Sequence, residues 1–277
     1  MKAACILVGT ELLNGAMVDT NSLYMAEELN KVGIELPYKM TVRDVKEEII
    51  DALQFCHSRV DLVILSGGLG PTLDDITKEA IANFLGKKLI VEAEELEVLH
   101  QKFASRGLPI LEMNTKEVEK PEGAISFENS VGMAPAIYLD KIAAFPGVPR
   151  ELYDMFPKFL SYFTQEKNWK QEIYIKDIIT YGIPESLLEN RVKDCFQEKG
   201  IFYEFLVKNY GILIRMQTNA SQKNKVEKIK EKIYNIIGNF IIGEDSVKIE
   251  EKIVEYLKEK HWKISLAESC TGGLLAD

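Results

Sequence analysis

Asp74 and Asp75 stand side by side just after Ser66-Gly67-Gly68-Leu69-Gly70-Pro71-Thr72. Adjacent carboxylates beside a glycine run form a donor set for a hard divalent cation of the Mg, Mn or Co class, which takes oxygen ligands and bridges carboxylates to substrate phosphates. The glycines leave backbone N–H groups free to approach the phosphate, although glycines behind a strand also serve tight packing. Two more acids, Glu11 in Gly9-Thr10-Glu11 and Asp44 in Val42-Arg43-Asp44, follow extended runs of their own. Taken singly, each is more often a surface charge. Thr72 and Asp75 also match a helix capping box, a role that explains one aspartate and leaves the other. Asp19 and Asn21 precede a helical stretch and can either cap it or contact a ligand. The turn-rich loop Asn129-Ser130-Val131-Gly132-Met133-Ala134-Pro135 has no structural purpose visible in the sequence and is a candidate contact for a base or sugar.

These residues need a scaffold that brings them together. Residues 3–8 read as a buried strand ending in Gly9, residues 21–31 as a helix closed by Gly33, and residues 35–41 as a second strand. Ile49, Ile50, Leu53 and Phe55 suggest a helix before the apolar strand Leu62 to Leu65. Ile76, Ala80, Ile81, Phe84 and Leu85 then recur at helical spacing. Strand and helix alternate, which is the order of a doubly wound α/β domain whose ligands sit at the carboxyl ends of the strands. Gly9, Asp44 and Gly67 all fall at such ends. Ile142 to Phe145 adds a strand, stopped by Pro146-Gly147-Val148-Pro149 and followed by a helix through Met155.

Downstream the rhythm changes. Strands at 173–181, 202–207 and 211–217 and helices from Pro184 and over 225–237 describe a small α+β module. The last of these helices carries lysines interleaved with Glu227 and Glu231, the pattern of a solvated face. A third segment opens with a helix over 249–257 and a strand over 263–266. The expected domains are therefore 1–168, 169–245 and 246–277, the third being only the beginning of a domain that needs on the order of 100 residues.

The 277 residues, 46% of them hydrophobic, carry a formal charge of −9. That balance disfavours a broad basic surface for nucleic acid and favours a small-molecule partner. No apolar run approaches the roughly 20 residues of a membrane span, and a cytoplasmic protein is expected. Cys5, Cys56, Cys195 and Cys270 lack paired spacing, and His57, His100 and His261 are dispersed, so neither a disulfide framework nor a histidine or cysteine metal site is suggested.

Four motifs taken together, Gly9-Thr10-Glu11-Leu12-Leu13-Asn14-Gly15, Asp19-Thr20-Asn21, Gly67-Gly68-Leu69-Gly70-Pro71-Thr72-Leu73-Asp74-Asp75-Ile76-Thr77 and Phe145-Pro146-Gly147-Val148-Pro149, resemble the CinA (competence/damage-inducible) protein family nearly end to end. The resemblance implies a three-layer α/β first domain with a mainly parallel sheet, similar to molybdopterin-binding domains and associated in that family with metal-dependent ADP-ribose pyrophosphatase activity. It implies a KH-type second module; no Gly-x-x-Gly loop appears there, so RNA binding is not expected. It also implies a homodimer. By position in the motif, Asp75 matches the active-site aspartate of the molybdopterin-binding relatives, and Glu11 and Asp44 match acidic positions around the same cleft. Ala136 stands where the family commonly has glycine. Ala267-Glu268-Ser269-Cys270-Thr271-Gly272-Gly273 is similar to the opening of a nicotinamide-nucleotide amidohydrolase domain, with Ser269 at the nucleophile's position; the base and oxyanion site a serine needs would lie further on, so deamidase activity is not expected of this chain.

The expected site thus has Glu11, Asp44 and Asp75 as catalytic carboxylates and Asp74, Asp75 and Glu11 around a divalent ion. Its substrate contacts are Gly9, Asp19, Asn21, Ser66, Gly67, Gly68, Gly70, Pro71, Thr72, Asn129, Gly132, Pro146 and Gly147. The leading expectation is hydrolysis of a nucleotide pyrophosphate, ADP-ribose giving AMP and ribose 5-phosphate. The alternatives are a module that binds a pterin or nucleotide without turnover, and a scaffold for the incomplete deamidase domain.

Overall fold

Ala3-Ala4-Cys5-Ile6-Leu7-Val8 is apolar on both faces, which a strand tolerates when helices pack above and below it. In the computed structural model, which describes residues 1–245 and 247–274, this run lies in β1 (Lys2–Val8) and is buried from Ala3 onward. The short helix α1 (Thr10–Leu13), α2 (Asn21–Lys31), β2 (Glu35–Val42), α3 (Lys46–His57), β3 (Leu62–Ser66) and α4 (Thr77–Leu85) follow. An excursion comes next: β4 (Leu89–Ile90), α5 (Ala93–Ser105), a 3-10 segment (Glu112–Val118) and β5 (Lys120–Pro121). The chain then returns through β6 (Ile125–Phe127), β7 (Ala136–Leu139), β8 (Ile142–Phe145) and α6 (Pro149–Glu166).

The main sheet has the order β2-β1-β3-β8-β7-β6. Its first four strands are parallel and the last two antiparallel. Alternation along the strands divides the core in two. Ala4, Ile6, Val63, Leu65 and Ala144 pack under α3 and α4, while Cys5, Leu7, Ile64 and Phe145 pack under α2 and α6. The aromatic residues Phe156, Phe159 and Phe163, spaced at three and four along α6, are fully buried against that second face. Helices on both faces of a mainly parallel sheet make the expected three-layer α/β arrangement.

Register is what builds the site. Val8 pairs with Val42, Leu7 with Ser66, and Ser66 with Phe145. The four parallel strands therefore end in one line, and the segments after them, starting at Gly9, Arg43, Gly67 and Pro146, emerge along a single edge.

The chain divides into two compact units, Met1–Gln171 and Glu172–Asp277. The second unit contains β9 (Ile173–Thr180), α7 (Glu185–Val192), β10 (Phe202–Lys208), β11 (Gly211–Asn219), α8 (Lys223–Ile237), β12 (Ile241–Glu244) and α9 (Ile249–Glu259). Its antiparallel sheet, in the order β10-β11-β9-β12, is covered by α8 through Val226, Ile229, Ile233 and Ile237. On the outer face of α8, Lys230 pairs with Glu227 at 2.7 Å.

Two expectations fail. Residues 263–266 form no strand; Ile264 and Leu266 are exposed, and an extended segment gains a strand's stability only from a paired neighbour. Asp75 does not cap the helix after it: α4 starts at Thr77 with Ile76 before it and no side-chain cap. Ala136, in place of a glycine, lies in β7 paired with Phe127 and takes ordinary extended backbone. The expected start of a third segment at residue 246 and its final residues 275–277 lie outside the described residues.

Candidate active site

Gly67 and Gly68 are required by conformation. They adopt φ of 113° and 67°, and a Cβ on Gly67 would stand 2.0 Å from the Val8 carbonyl. The turn is locked from behind: Thr77 Oγ1 donates to the Gly67 carbonyl at 2.8 Å and Thr77 N–H to the Gly68 carbonyl at 3.1 Å. Gly67 spends its own N–H on the Phe145 carbonyl. Those of Gly68 and Gly70 donate to no protein acceptor among the described residues.

Beneath this turn lies Lys78, almost wholly buried and invisible as a functional residue in the sequence. Its ammonium donates to the Leu69 carbonyl at 3.1 Å and to the Lys116 carbonyl, tying the glycine loop to the 3-10 segment. Burial depresses it to about 8, against the opposing pull of Glu119, Glu79 and Glu117. Lys116 completes the brace by donating to the Thr72 carbonyl at 3.0 Å.

The acidic residues follow from these turns. Asp75 accepts the Thr72 N–H at 2.9 Å, and both Asp74 and Asp75 approach the Thr72 hydroxyl, Asp74 at 2.5 Å. That hydroxyl has a single hydrogen to give, so two carboxylates share one donor. Contact with Thr72 holds Asp74 below the usual carboxylate range. Asp44 is fixed by the N–H and hydroxyl of Thr10 at 2.8 and 2.9 Å. The Glu11 carboxylate makes no hydrogen bond or ion pair among the described residues, although the Glu11 carbonyl accepts the Ala16 and Met17 N–H groups. Gly9, Gly70 and Gly132 serve carboxylates: a Cβ there would stand 2.4 Å from Glu11 Oε1, 2.6 Å from Asp75 Oδ2 and 2.3 Å from Glu151 Oε2.

All four expected acids border one cleft of about 620 Å³, together with Gly67, Gly68, Gly70, Pro71, Gly132, Pro146 and Gly147. Thr72, bonded to both aspartates, is not among the residues that border the cleft. Sequence reasoning missed Glu117, Glu151, Arg106 and Arg150, which also line the cleft. Arg150 and Glu151 sit in the first turn of α6, directly after the Pro146-Gly147-Val148-Pro149 motif, which was the available signal. Arg106 and Glu117 come from the excursion, for which the sequence offered none. Burial raises the carboxyl of Glu117 above its ordinary range, against the lowering effect of the Asn114 amide at 3.0 Å. Six carboxylates against two guanidiniums make the cleft strongly acidic.

The remaining expected contacts lie deeper or elsewhere. Asp19 caps α2 by accepting the Ser22 N–H at 2.9 Å and pairs with Lys39 at 2.6 Å. Burial would raise its carboxyl, but the bonds from Lys39 and Ser22 win and hold it low. Asn21 does not cap; its amide donates to Ser66 Oγ at 2.9 Å and the Gly147 carbonyl at 2.7 Å. Asn129 is wholly buried and its side chain organises its own loop. It accepts from Val131 and Gly132 N–H and donates to the Ala134 carbonyl and Glu151. Ser269, in the second unit, is exposed, with its hydroxyl 3.8 Å from Cys270 Sγ.

No three aspartate, glutamate, histidine or cysteine side chains are gathered at ligand spacing among the described residues. The paired oxygens of Asp74 and Asp75 nevertheless suit a magnesium-class ion, which takes one or two carboxylates and completes its shell with water and phosphate.

A family model described as a probable molybdopterin binding domain matches residues 4–166, and one described as the CinA C-terminal domain matches residues 246–277. A CinA-like protein of Fusobacterium nucleatum is 62% identical over 278 aligned positions, covering 100% of this chain and 69% of the relative. A putative competence-damage inducible protein of Caldicellulosiruptor saccharolyticus is 37% identical, with the same coverage of each. Among solved structures, the protein CinA of Thermoplasma acidophilum, of unknown function, aligns with a TM-score of 0.55 at 30% identity, covering 58% of this chain and 98% of that one. No helix among the described residues is long and apolar enough to cross a membrane.

Proposed function

The chain belongs to the CinA family, and from that footing we propose that the cleft of its first unit hydrolyses a nucleotide pyrophosphate, with ADP-ribose, cleaved to AMP and ribose 5-phosphate, as the leading substrate. The observation that supports this is the meeting of Glu11, Asp44, Asp74 and Asp75 with the Gly68 and Gly70 amides around one 620 Å³ cleft. The acidity of the cleft bears on the chemistry. An anionic pyrophosphate entering among six carboxylates is repelled, so a cation must accompany it. Asp74 and Asp75 would hold a divalent ion, which supplies charge neutralisation at the phosphates.

The chain's own groups do the rest. Gly68 and Gly70 N–H groups bind phosphate oxygens, and Arg150, without an ion-pair partner among the described residues, offers a positive contact in the same cleft. A water oxygen bonds to one phosphorus and the bridging P–O bond breaks, its electron pair leaving with the departing phosphate. Glu11, unpartnered at the cleft edge, accepts the water's proton. Asp44 and Asp75, each pinned by a threonine, keep their positions through the step. Chromatography of ADP-ribose incubated with the protein and Mg, Mn or Co tests the proposal; AMP and ribose 5-phosphate are expected, and unchanged substrate with every metal would end it.

A second reading is favoured by the match of residues 4–166 to a probable molybdopterin binding domain: the cleft holds a pterin or nucleotide without turning it over. Calorimetric binding of molybdopterin, with no pyrophosphate hydrolysed, would select it.

A further inference from the structure

The antiparallel sheet of the second unit ends on one side at β12 and on the other at β10. A sheet edge carries unpaired backbone donors and acceptors, and proteins blunt it with short strands, bulges or proline. β12 is blunted in this way: it has four residues and a register shift between Ile241 and Gly243. β10 is not. Its seven residues, Phe202-Tyr203-Glu204-Phe205-Leu206-Val207-Lys208, include no proline and pair with β11 in unbroken register. Phe202 is 60% exposed and Val207 67%.

The hairpin decides which backbone groups of β10 face outward. Asn209 and Tyr210 form a two-residue turn closed by the Lys208–Gly211 pair, which must therefore exchange its hydrogen bonds across the hairpin. By alternation Leu206, Glu204 and Phe202 do the same. The N–H and C=O groups of Tyr203, Phe205 and Val207 point away from β11, and they bond to nothing else among the described residues. Phe205 lies opposite Ile214 on the face covered by helices, so Glu204, Leu206 and Lys208 share the other face. Neither Glu204 nor Lys208 makes an ion pair among the described residues.

Two copies of such an edge can pair antiparallel about a twofold axis. The outward backbone groups belong to the odd-numbered residues, so odd must face odd. With the axis at Phe205, Glu204 faces Leu206 and Lys208 faces Phe202. With the axis at Glu204, like charges meet. With the axis at Leu206, Glu204 of each copy faces Lys208 of the other, Phe205 faces Val207, and Leu206 faces its own counterpart. Glu204 and Lys208 then occupy facing positions without backbone bonds between them, where side chains approach most closely and opposite charges are favoured. We propose that β10 is a self-complementary edge through which two copies of this chain join their sheets into one, four strands from each, in the register centred on Leu206. Which surface pairs, and through which charges, follows from this strand alone.

Sedimentation of the full chain over a range of concentrations tests this. The wild type should dimerise, and Lys208→Glu, which sets glutamate against glutamate at both ends of the pairing, should dimerise roughly ten- to a hundred-fold more weakly. Glu204→Lys should also weaken it, with added repulsion from Arg215, its neighbour on β11. Mixed in equal amounts, the two variants should recover the lost affinity, because each supplies the charge that the other lacks. One check needs no variant: in the wild type, amide exchange over residues 202–208 should slow across the concentrations at which the dimer forms. A monomeric wild type, equal dimerisation of wild type and Lys208→Glu, or a mixture no tighter than its components would overturn the proposal. Amides protected at every concentration would also overturn it, by assigning the edge to another segment of the same chain.

Discussion

Replacing Gly70 by alanine tests whether the position of Asp75 matters for chemistry apart from folding. Gly70 does not adopt a positive φ, so alanine meets no backbone strain there. The new Cβ would lie 2.6 Å from Asp75 Oδ2 and 3.1 Å from Asp75 Cγ. Ordinary contact begins near 3.4 Å, so the carboxylate must retreat by about 0.8 Å. That retreat stretches the 2.9 Å bond from the Thr72 N–H, a loss of about 0.5–1.5 kcal/mol at a partly exposed site. For catalysis the same displacement is more serious, because misplacing a catalytic group by about 1 Å costs on the order of 100-fold. We expect kcat/KM for ADP-ribose to fall about 100-fold while the melting temperature falls by only a few degrees. Gly68→Ala provides the contrast, since it combines φ of 67° with a Cβ 2.4 Å from Thr77 Oγ1 and should lose stability and activity together. Activity of Gly70→Ala within threefold of the wild type, with the fold intact, would refute the reasoning that the aspartate's placement is functional.

Two further outcomes are expected. Lys78 is depressed to about 8 in the folded protein from 10.5, so between those values the folded chain binds fewer protons than the unfolded one and stability rises with pH, by about 3 kcal/mol when complete. Urea unfolding across pH 7–10.5 should show this rise in the wild type and its loss in Lys78→Met; parallel curves for the two would contradict the assignment. Asn129→Ala strands the Val131 and Gly132 N–H groups and the Ala134 carbonyl and should cost about 3 kcal/mol in denaturant unfolding, whereas a cost below about 1 kcal/mol would mean that the loop holds itself.

The parallel half of the first unit was legible because β1, β3 and β8 are short apolar runs with glycine or proline directly after them, and β2, which is followed by Arg43, lies between helical patterns. Ile142 to Phe145 coincides with β8, and Asn21 to Lys31 with α2. Strand ends brought to one edge place Glu11, Asp44, Asp74 and Asp75 in one cleft, as the alternating order implied. The excursion over β4, α5 and the 3-10 segment was not legible. Its small core of Leu99, Phe103 and Val118 depends on Leu96 and Met133, and so on a contact with a distant loop. Arg106, Lys116 and Glu117 went unseen with it. The Asn129 loop was noticed for its turn-rich composition, which did not reveal that the buried Asn129 amide replaces missing backbone partners within it. Gly9, Gly70 and Gly132 also make room for the carboxylates of Glu11, Asp75 and Glu151, a role that the sequence did not suggest.

Under the proposed function, acids distant in sequence serve one cation beside one phosphate cradle. Anomalous scattering from crystals soaked with Mn²⁺ and ADP-ribose tests it most directly. A manganese peak is expected against Asp74 and Asp75, with a phosphate on the Gly68 and Gly70 amides and Glu11 and Asp44 facing the same ion and its waters. A nucleotide bound in the cleft without manganese, or manganese bound only away from these aspartates, would contradict it.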